Sequence, residues 1–82
     1  MVDVTYIKAE KNHRLYITLS NGKSGYFDTS PYLNKGIFKE LKDEDYFKKV
    51  RIIFGGIGWP HQQDFSADTI EQDMELTEER VM

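Results

Sequence analysis

The stretch Gly55-Gly56-Ile57-Gly58-Trp59-Pro60 decides how the rest of the chain is interpreted. It holds three of the six glycines, the only tryptophan and one of the two prolines. Glycines at this density predict backbone that turns tightly or that another segment approaches closely. The alternation over residues 50–54 predicts a strand that turns at Gly55-Gly56 and returns over 57–59. Pro60 lacks an N–H, so it keeps the returning strand at a sheet edge or ends it.

Alternating apolar residues earlier in the chain predict three further strands. Residues 2–6 and 15–19 alternate apolar with polar side chains, and Gly25-Tyr26-Phe27 begins a third run. A change of parity near Tyr6 predicts a β-bulge. Asn21-Gly22 between two such runs is typical of a two-residue type I′ turn, in which both central residues need a positive φ. We therefore expect the first part of the chain to form a three-stranded antiparallel meander.

Short helices are predicted from their capping residues. Ser30 before Pro31 indicates one helical turn, because Ser caps a helix N-terminus and Pro suits the first helical position. Apolar residues at helical spacing over 37–41 predict a second turn that packs on the sheet. Asp43 is expected to cap a further turn whose acids favour the helix dipole, and Ser66 to cap the last helix.

These elements together predict an α+β fold class. The sheet is small and antiparallel, an N-terminal three-stranded meander plus a C-terminal hairpin, with two or three short helices. Asp64-Phe65 is expected to add a short sixth bridge. Residues 1–72 are predicted to be a single domain and 73–82 an acidic C-terminal extension. We expect fraying from Leu76 onward, although Thr77 can start a further turn.

Composition excludes several classes of protein. The chain has 82 residues and no cysteine, which rules out a disulfide framework, Cys-based zinc sites and thiol catalysis, and fits a reducing compartment. No apolar run approaches the ~20 residues of a membrane helix. Charged residues between Asp3 and Lys11 interrupt any signal-peptide core. The expectation is a cytoplasmic protein that does not contact a membrane.

The net charge of −3 is unevenly distributed. Residues 66–82 carry six acids against Arg80 alone, whereas residues 1–65 carry ten Lys/Arg against eight Asp/Glu. A nucleic-acid-binding domain usually presents a basic surface, so direct nucleic-acid binding is disfavoured. An acidic end is typical of a solvated tail, and it also suits a basic protein partner.

An ordered set of short motifs runs through most of the chain. Its members are Asn21-Gly22, Phe27-Asp28, Ser30-Pro31, Leu33, Gly36, Phe38, Leu41, Asp43, Phe47, Val50, Trp59-Pro60, Asp64-Phe65 and Asp68. In this order they resemble the bacterial domain-of-unknown-function family 2442, over about residues 2–72. Members commonly carry Asn-Gly after the Trp-Pro pair, where this chain has His61-Gln62.

The resemblance implies a small α+β fold with an antiparallel sheet and short helices, and no established enzyme activity. Some relatives carry a helix-turn-helix domain after this module. Others are free-standing and look like partners of a small neighbouring protein in a toxin–antitoxin-like arrangement. A chain of 82 residues resembles the free-standing type.

Candidate chemical groups have simpler structural explanations. His61, Asp64 and Asp68 would share one face only if the segment were helical, which Pro60 opposes, and a metal also favours more His or Cys ligands. Asp28 before Ser-Pro is typical of a residue that caps the following turn. No nucleophile–base pair is visible. We therefore expect no enzyme activity, no metal and no cofactor.

Three functional hypotheses remain from the sequence. The first is a non-catalytic protein-interaction module, an acidic antitoxin-like partner that can also form a homodimer through a sheet edge. The second is a small-ligand sensor with its ligand near Trp59 and the glycine turn. The third is an accessory nucleic-acid-associated regulator that uses the scattered lysines and arginines. The candidate interaction surface consists of Tyr26, Tyr32, Trp59, His61 and Asp64.

Trp59 itself has two alternative placements. Its ring can pack in the core with the indole N–H bonded to a backbone carbonyl, because a small core needs such a residue. It can instead lie on an exposed face with Tyr26 or Tyr32, since exposed Trp and Tyr dominate interface hot spots.

Overall fold

The computed structural model describes residues 1–76 as an α+β fold with two antiparallel sheets. The strands are β1 (Val4–Glu10), β2 (Arg14–Leu19), β3 (Ser24–Asp28), β4 (Arg51–Ile53), β5 (Gly56–Gly58), β6 (Asp64–Phe65) and β7 (Glu75–Leu76). The α-helices are α1 (Glu44–Phe47) and α2 (Ala67–Asp73), and 3₁₀ turns cover Lys11–His13, Ser30–Tyr32 and Gly36–Lys42. Fraying was predicted from Leu76 onward and a turn at Thr77. Of these residues only Leu76 lies within the described range.

The predicted meander is confirmed and gains a fourth strand. The first sheet has the order β1-β2-β3-β7, and the register of β1 on β2 shifts between Val4 and Tyr6, where the bulge was predicted. The two-residue strand β7 pairs with Gly25 and Tyr26 of β3. A Cβ atom on Gly25 would lie only 2.9 Å from the Cα of Leu76, so the glycine makes this close pairing feasible.

The β2–β3 hairpin is confirmed, but its predicted type I′ turn is wrong. Gly22 has a φ of 92°, whereas Asn21 is not among the residues with positive φ. The amide of Gly22 donates to the carbonyl of Leu19, and the amide of Leu19 donates to the carbonyl of Lys23. The loop thus has three residues, an i→i+3 turn followed by a left-handed glycine that forms a bulge.

The second sheet has the order β4-β5-β6, so the hairpin and the bridge at Asp64-Phe65 are both confirmed. Its turn lies one residue earlier than predicted, since Phe54 and Gly55 both have positive φ, 49° and 81°. Phe54 and Gly55 thus form a type I′ turn, the turn type that was predicted for Asn21-Gly22. The central strand β5 ends before Pro60, so the proline terminates the strand rather than marking an edge.

The close approach of strand β6 explains why residue 56 is a glycine. A Cβ on Gly56 would lie 2.5 Å from the carbonyl oxygen of Phe65 on the neighbouring strand. Real Cβ atoms do not approach an oxygen so closely, so any side chain here would push β6 away. The prediction that another segment approaches this backbone is therefore confirmed at Gly56.

Two of the predicted helix caps are confirmed. The Asp43 carboxylate accepts hydrogen bonds from the amides of Asp45 and Tyr46, and the Ser66 hydroxyl accepts one from the amide of Thr69. Ser30 makes no side-chain cap bond, so that prediction is wrong. Asp28 supports the turn instead, because its carboxylate accepts a hydrogen bond from the amide of Ser30 at 2.9 Å.

Both sheets contribute to one hydrophobic core. Its buried members are Val4, Leu15, Ile17, Leu19, Phe27, Leu41, Tyr46, Phe47, Ile57, Trp59, Phe65, Ala67, Ile70 and Met74. A backbone hydrogen bond of 2.7 Å from the amide of Val4 to the carbonyl of Gly55 also connects the sheets. Within residues 1–76, no helix is long and apolar enough to cross a membrane.

Candidate functional site

Trp59 packs in the core, which confirms the first of its two predicted placements. Only 2% of the residue is exposed, and its indole N–H donates to the backbone carbonyl of Phe47 at 2.8 Å. The ring packs against the rings of Phe47 and Phe65, with centroids 5.8 and 6.1 Å away. The placement of Trp59 in an exposed contact surface is therefore wrong, because its ring and its polar atom are both used internally.

A buried amide organises the polar groups next to Trp59. Gln63 is 1% exposed, and its side-chain oxygen accepts a hydrogen bond of 2.7 Å from the hydroxyl of Tyr46. That hydroxyl in turn accepts a bond from the amide of His61, and the Gln63 amide group donates to the carbonyl of Ile37. Every polar end of Gln63 is thus satisfied, as a buried amide requires.

His61 is exposed and also belongs to the same network. Its Nδ1 lies 2.8 and 2.9 Å from the two carboxylate oxygens of Glu40, and its ring stacks on Tyr46. The pKa of Glu40 is lowered, first by the hydrogen bond from Gln63; desolvation opposes this effect, and the contact with His61 lowers the pKa further. Sequence reasoning missed Glu40, Tyr46 and Gln63 because only the tertiary fold brings them together.

Tyr32 is half-buried and contributes to packing. Its ring contacts the rings of Phe27, Phe38 and Phe65, at centroid distances of 6.2, 6.0 and 4.9 Å. Its hydroxyl donates to the carboxylate of Asp73 at 3.1 Å. Partial burial, and then the bond to Asp73, raise the pKa of Tyr32. Tyr32 therefore supports the sheet from the core side.

Tyr26 lies on the opposite face of the first sheet with two tyrosines that sequence reasoning did not single out. Tyr6, Tyr16 and Tyr26 come from β1, β2 and β3, and neighbouring ring centroids are 6.4 and 5.2 Å apart. The Arg14 guanidinium lies 4.8 Å above the ring of Tyr26. We call these three rings the tyrosine face. The polar positions that alternate with the core residues were the sequence signal for it.

An acidic pocket of about 260 Å³ borders the tyrosine face. It is lined by Arg14, Tyr26, Asp28, Asp73 and Glu75. The pocket lining thus carries three carboxylates and one guanidinium. The last two residues come from the segment of α2 and β7, which the pairing of β7 with β3 brings beside the sheet.

Asp64 lies elsewhere, in a groove of about 380 Å³ on the outer face of the second sheet. Arg51 and Asp64 flank Gly58 in the strand register, and the side chain of Ile53 lies over the glycine between them. We call this the glycine groove; its further lining residues are Ile53, Phe54, Trp59, Pro60, Gln62 and Gln63. Trp59 borders it although the residue is almost fully buried.

The predicted surface residues are therefore not one surface. Tyr26 is on the tyrosine face, and Tyr32 is on the core side of the sheet. His61 contacts the carboxylate of Glu40, and Trp59 and Asp64 border the glycine groove. His61, Asp64 and Asp68 do not share a helix, because they fall in a turn, in β6 and in α2. Among residues 1–76, no group of three His, Cys, Asp or Glu side chains could hold a metal ion.

Comparison with known proteins identifies one family. The model of the family described as "Protein of unknown function (DUF2442)" matches residues 2–73 of the 82. No curated protein and no solved structure matches the chain significantly. The resemblance inferred from the ordered motifs is thus confirmed over nearly the whole domain, and the chain belongs to the DUF2442 family.

Proposed function

We propose that this chain is a non-catalytic interaction module that binds a protein partner through the tyrosine face. The observation that carries the proposal is the row of Tyr6, Tyr16 and Tyr26 across three adjacent strands, on the side of the sheet opposite the core. Tyrosine is enriched at interface hot spots because it adds large contact area and a polar end at low entropic cost.

The charge beside this face indicates the chemistry of the partner. Asp28, Asp73 and Glu75 surround the pocket next to Tyr26, with Arg14 as their single cation. A lysine or arginine of the partner would meet the carboxylates beside the tyrosine rings, which suits charge-assisted hydrogen bonds. The module would then act as the acidic, antitoxin-like subunit of a pair. The lack of cysteines supports a reducing location such as the cytoplasm.

Co-expression with the product of the neighbouring gene tests this proposal. We expect a complex that co-elutes in size-exclusion chromatography and weakens at high salt, since screening reduces the attraction between charged surfaces. Tyr26→Ala should weaken binding by about tenfold or more, the effect of losing a hot-spot residue. Phe54→Ala is the matched control, because it removes an aromatic ring from a different surface.

The experiment has outcomes that overturn the proposal. Two proteins that elute separately would do so, as would a complex that tolerates Tyr26→Ala and loses affinity with Phe54→Ala. Light scattering of the chain alone separates a further case. A homodimer that dissociates in Tyr26→Ala would assign the face to a second copy and remove the need for a different partner.

A further inference from the structure

The glycine groove has features that protein binding at the tyrosine face does not explain. The register aligns Arg51, Gly58 and Asp64 across β4, β5 and β6, so all three point to the same face of the sheet. Two strand spacings, on the order of 10 Å, separate the backbones of Arg51 and Asp64. A cation and an anion therefore lie on the same face of the sheet, on either side of Gly58, and the side chain of Ile53 covers the glycine between them.

Neither of these charges is used within the described chain. For residues 1–76, no ion pair or side-chain hydrogen bond involves Arg51 or Asp64, and both residues are exposed. Other polar side chains do pair: the Lys23 ammonium with the Glu71 carboxylate at 3.2 Å, and the His61 imidazole with the Glu40 carboxylate at 2.8 Å. The Arg51 guanidinium is therefore available to donate hydrogen bonds at one side of the groove, and the Asp64 carboxylate is available to accept them at the other.

The rest of the groove lining combines the apolar residues Ile53, Phe54, Trp59 and Pro60 with Gln62 and Gln63. Phe54 is fully exposed, with a relative accessibility of 104%, although its φ of 49° is unusual for a bulky residue. Pro60 contributes a second apolar surface, and the side chain of Ile53 reaches over Gly58. A Cβ on Gly58 would lie 2.8 Å from the Cδ1 of Ile53, so a larger residue would fill the floor.

We propose that the glycine groove binds an α-amino acid with a large apolar side chain as its zwitterion. Arg51 would bind the carboxylate in a bidentate pair, and Asp64 would accept hydrogen bonds from the ammonium group. The apolar side chain would pack against Phe54 and Pro60. A volume of about 380 Å³ is within the range of small-ligand sites. This site does not depend on the protein partner proposed above.

Isothermal titration calorimetry with L-phenylalanine tests the site directly. Each single-charge analogue should bind at least about tenfold more weakly, because it leaves one groove charge without its partner. The analogues are 3-phenylpropionate, which lacks the ammonium, and 2-phenylethylamine, which lacks the carboxylate. N-acetyl-L-phenylalanine mimics the C-terminal residue of a peptide, so its weaker binding separates a free amino acid from a chain end.

Substitutions locate the binding. Arg51→Gln and Asp64→Asn should each reduce affinity for L-phenylalanine by about tenfold or more. Lys49→Gln is the control, an exposed cation two residues from Arg51 and outside the groove lining. Far-UV circular dichroism checks that each variant is folded. Absence of saturable binding, equal binding of the analogues, or equal loss in Lys49→Gln would each overturn the proposal.

Discussion

Trp59 stabilises the fold through two separable interactions, ring packing and one buried hydrogen bond. Its indole N–H donates to the backbone carbonyl of Phe47 at 2.8 Å, and the same carbonyl also accepts a longer bond of 3.3 Å from the amide of Val50. The sequence predicted both parts, because a lone tryptophan in a small core needs a partner for its N–H.

We expect Trp59→Phe to lower the free energy of unfolding by about 0.5–1.5 kcal/mol, the net contribution of one hydrogen bond, because the Phe47 carbonyl keeps its bond from the amide of Val50. Urea denaturation followed by far-UV circular dichroism measures this loss. Tyr6→Phe is the control, since it removes a polar atom from a residue that is 49% exposed. A loss no larger than that of the control would show that the hydrogen bond contributes nothing.

Gln62 and Gln63 show where prediction from single residues ends. Gln62 has a φ of 80° and its amide donates to the carbonyl of Trp59, so it occupies a turn position that glycine adopts at least cost. The family resemblance placed Asn-Gly in this region, so an unusual backbone was foreseeable. The buried role of Gln63 was not, because its partners Tyr46 and Ile37 are distant in sequence.

At the scale of elements, the strands and most caps followed from alternation and capping chemistry, whereas the two hairpin turns did not. The length of the β2–β3 loop depends on which residues of the strands pair, and the core decides that register. Asn21-Gly22 therefore lies in a three-residue loop, and the type I′ turn falls at Phe54-Gly55, where the preference for Asn-Gly gave no signal.

Strand β7 depends on Gly25, so Gly25→Ala should displace it. The new Cβ would lie within 2.9 Å of the Cα of Leu76, and overpacking of this kind costs about 1–3 kcal/mol. Nuclear Overhauser effects between Tyr26 and Glu75 should disappear, while those between Lys8 and Tyr16 of β1 and β2 persist.

Gly36→Ala is the matched control for that experiment. It also replaces a glycine, but its Cβ would meet no atom within 4 Å. It should keep the contacts between β3 and β7 despite the strain of a φ of 47°. Retention of those contacts in Gly25→Ala as well would contradict the role assigned to Gly25.

For the whole molecule, both sheets and both α-helices share one core, so we expect a single cooperative unfolding transition. Phe65 of β6 packs against Trp59 and against Phe27 of the first sheet, and the buried residues of both sheets form one cluster. Urea transitions followed by near-UV and far-UV circular dichroism should coincide. A second sheet that unfolds at lower urea concentration would contradict this expectation.

The arrangement of the whole molecule explains why the fold was more predictable than the site. Fold class depends on periodicity, which each segment carries by itself. The tyrosine face and the glycine groove depend on which strands become neighbours, and β7 could not be predicted from its two residues. Tyr26 and Asp64 were singled out, whereas Tyr16 was not, and Arg51 was considered only among the basic residues of the nucleic-acid hypothesis.

The pairing of β3 with β7 also has a consequence during synthesis on the ribosome. The bonds that hold this end of the molecule join residues far apart, with Asn21 and Lys23 bound to Glu71 across 50 and 48 positions. The meander leaves the ribosome well before α2 and β7 do. Until they emerge, one edge of β3 has no partner, and an open strand edge is a site of association between nascent chains. Translation speed over the α2–β7 segment therefore bears on yield.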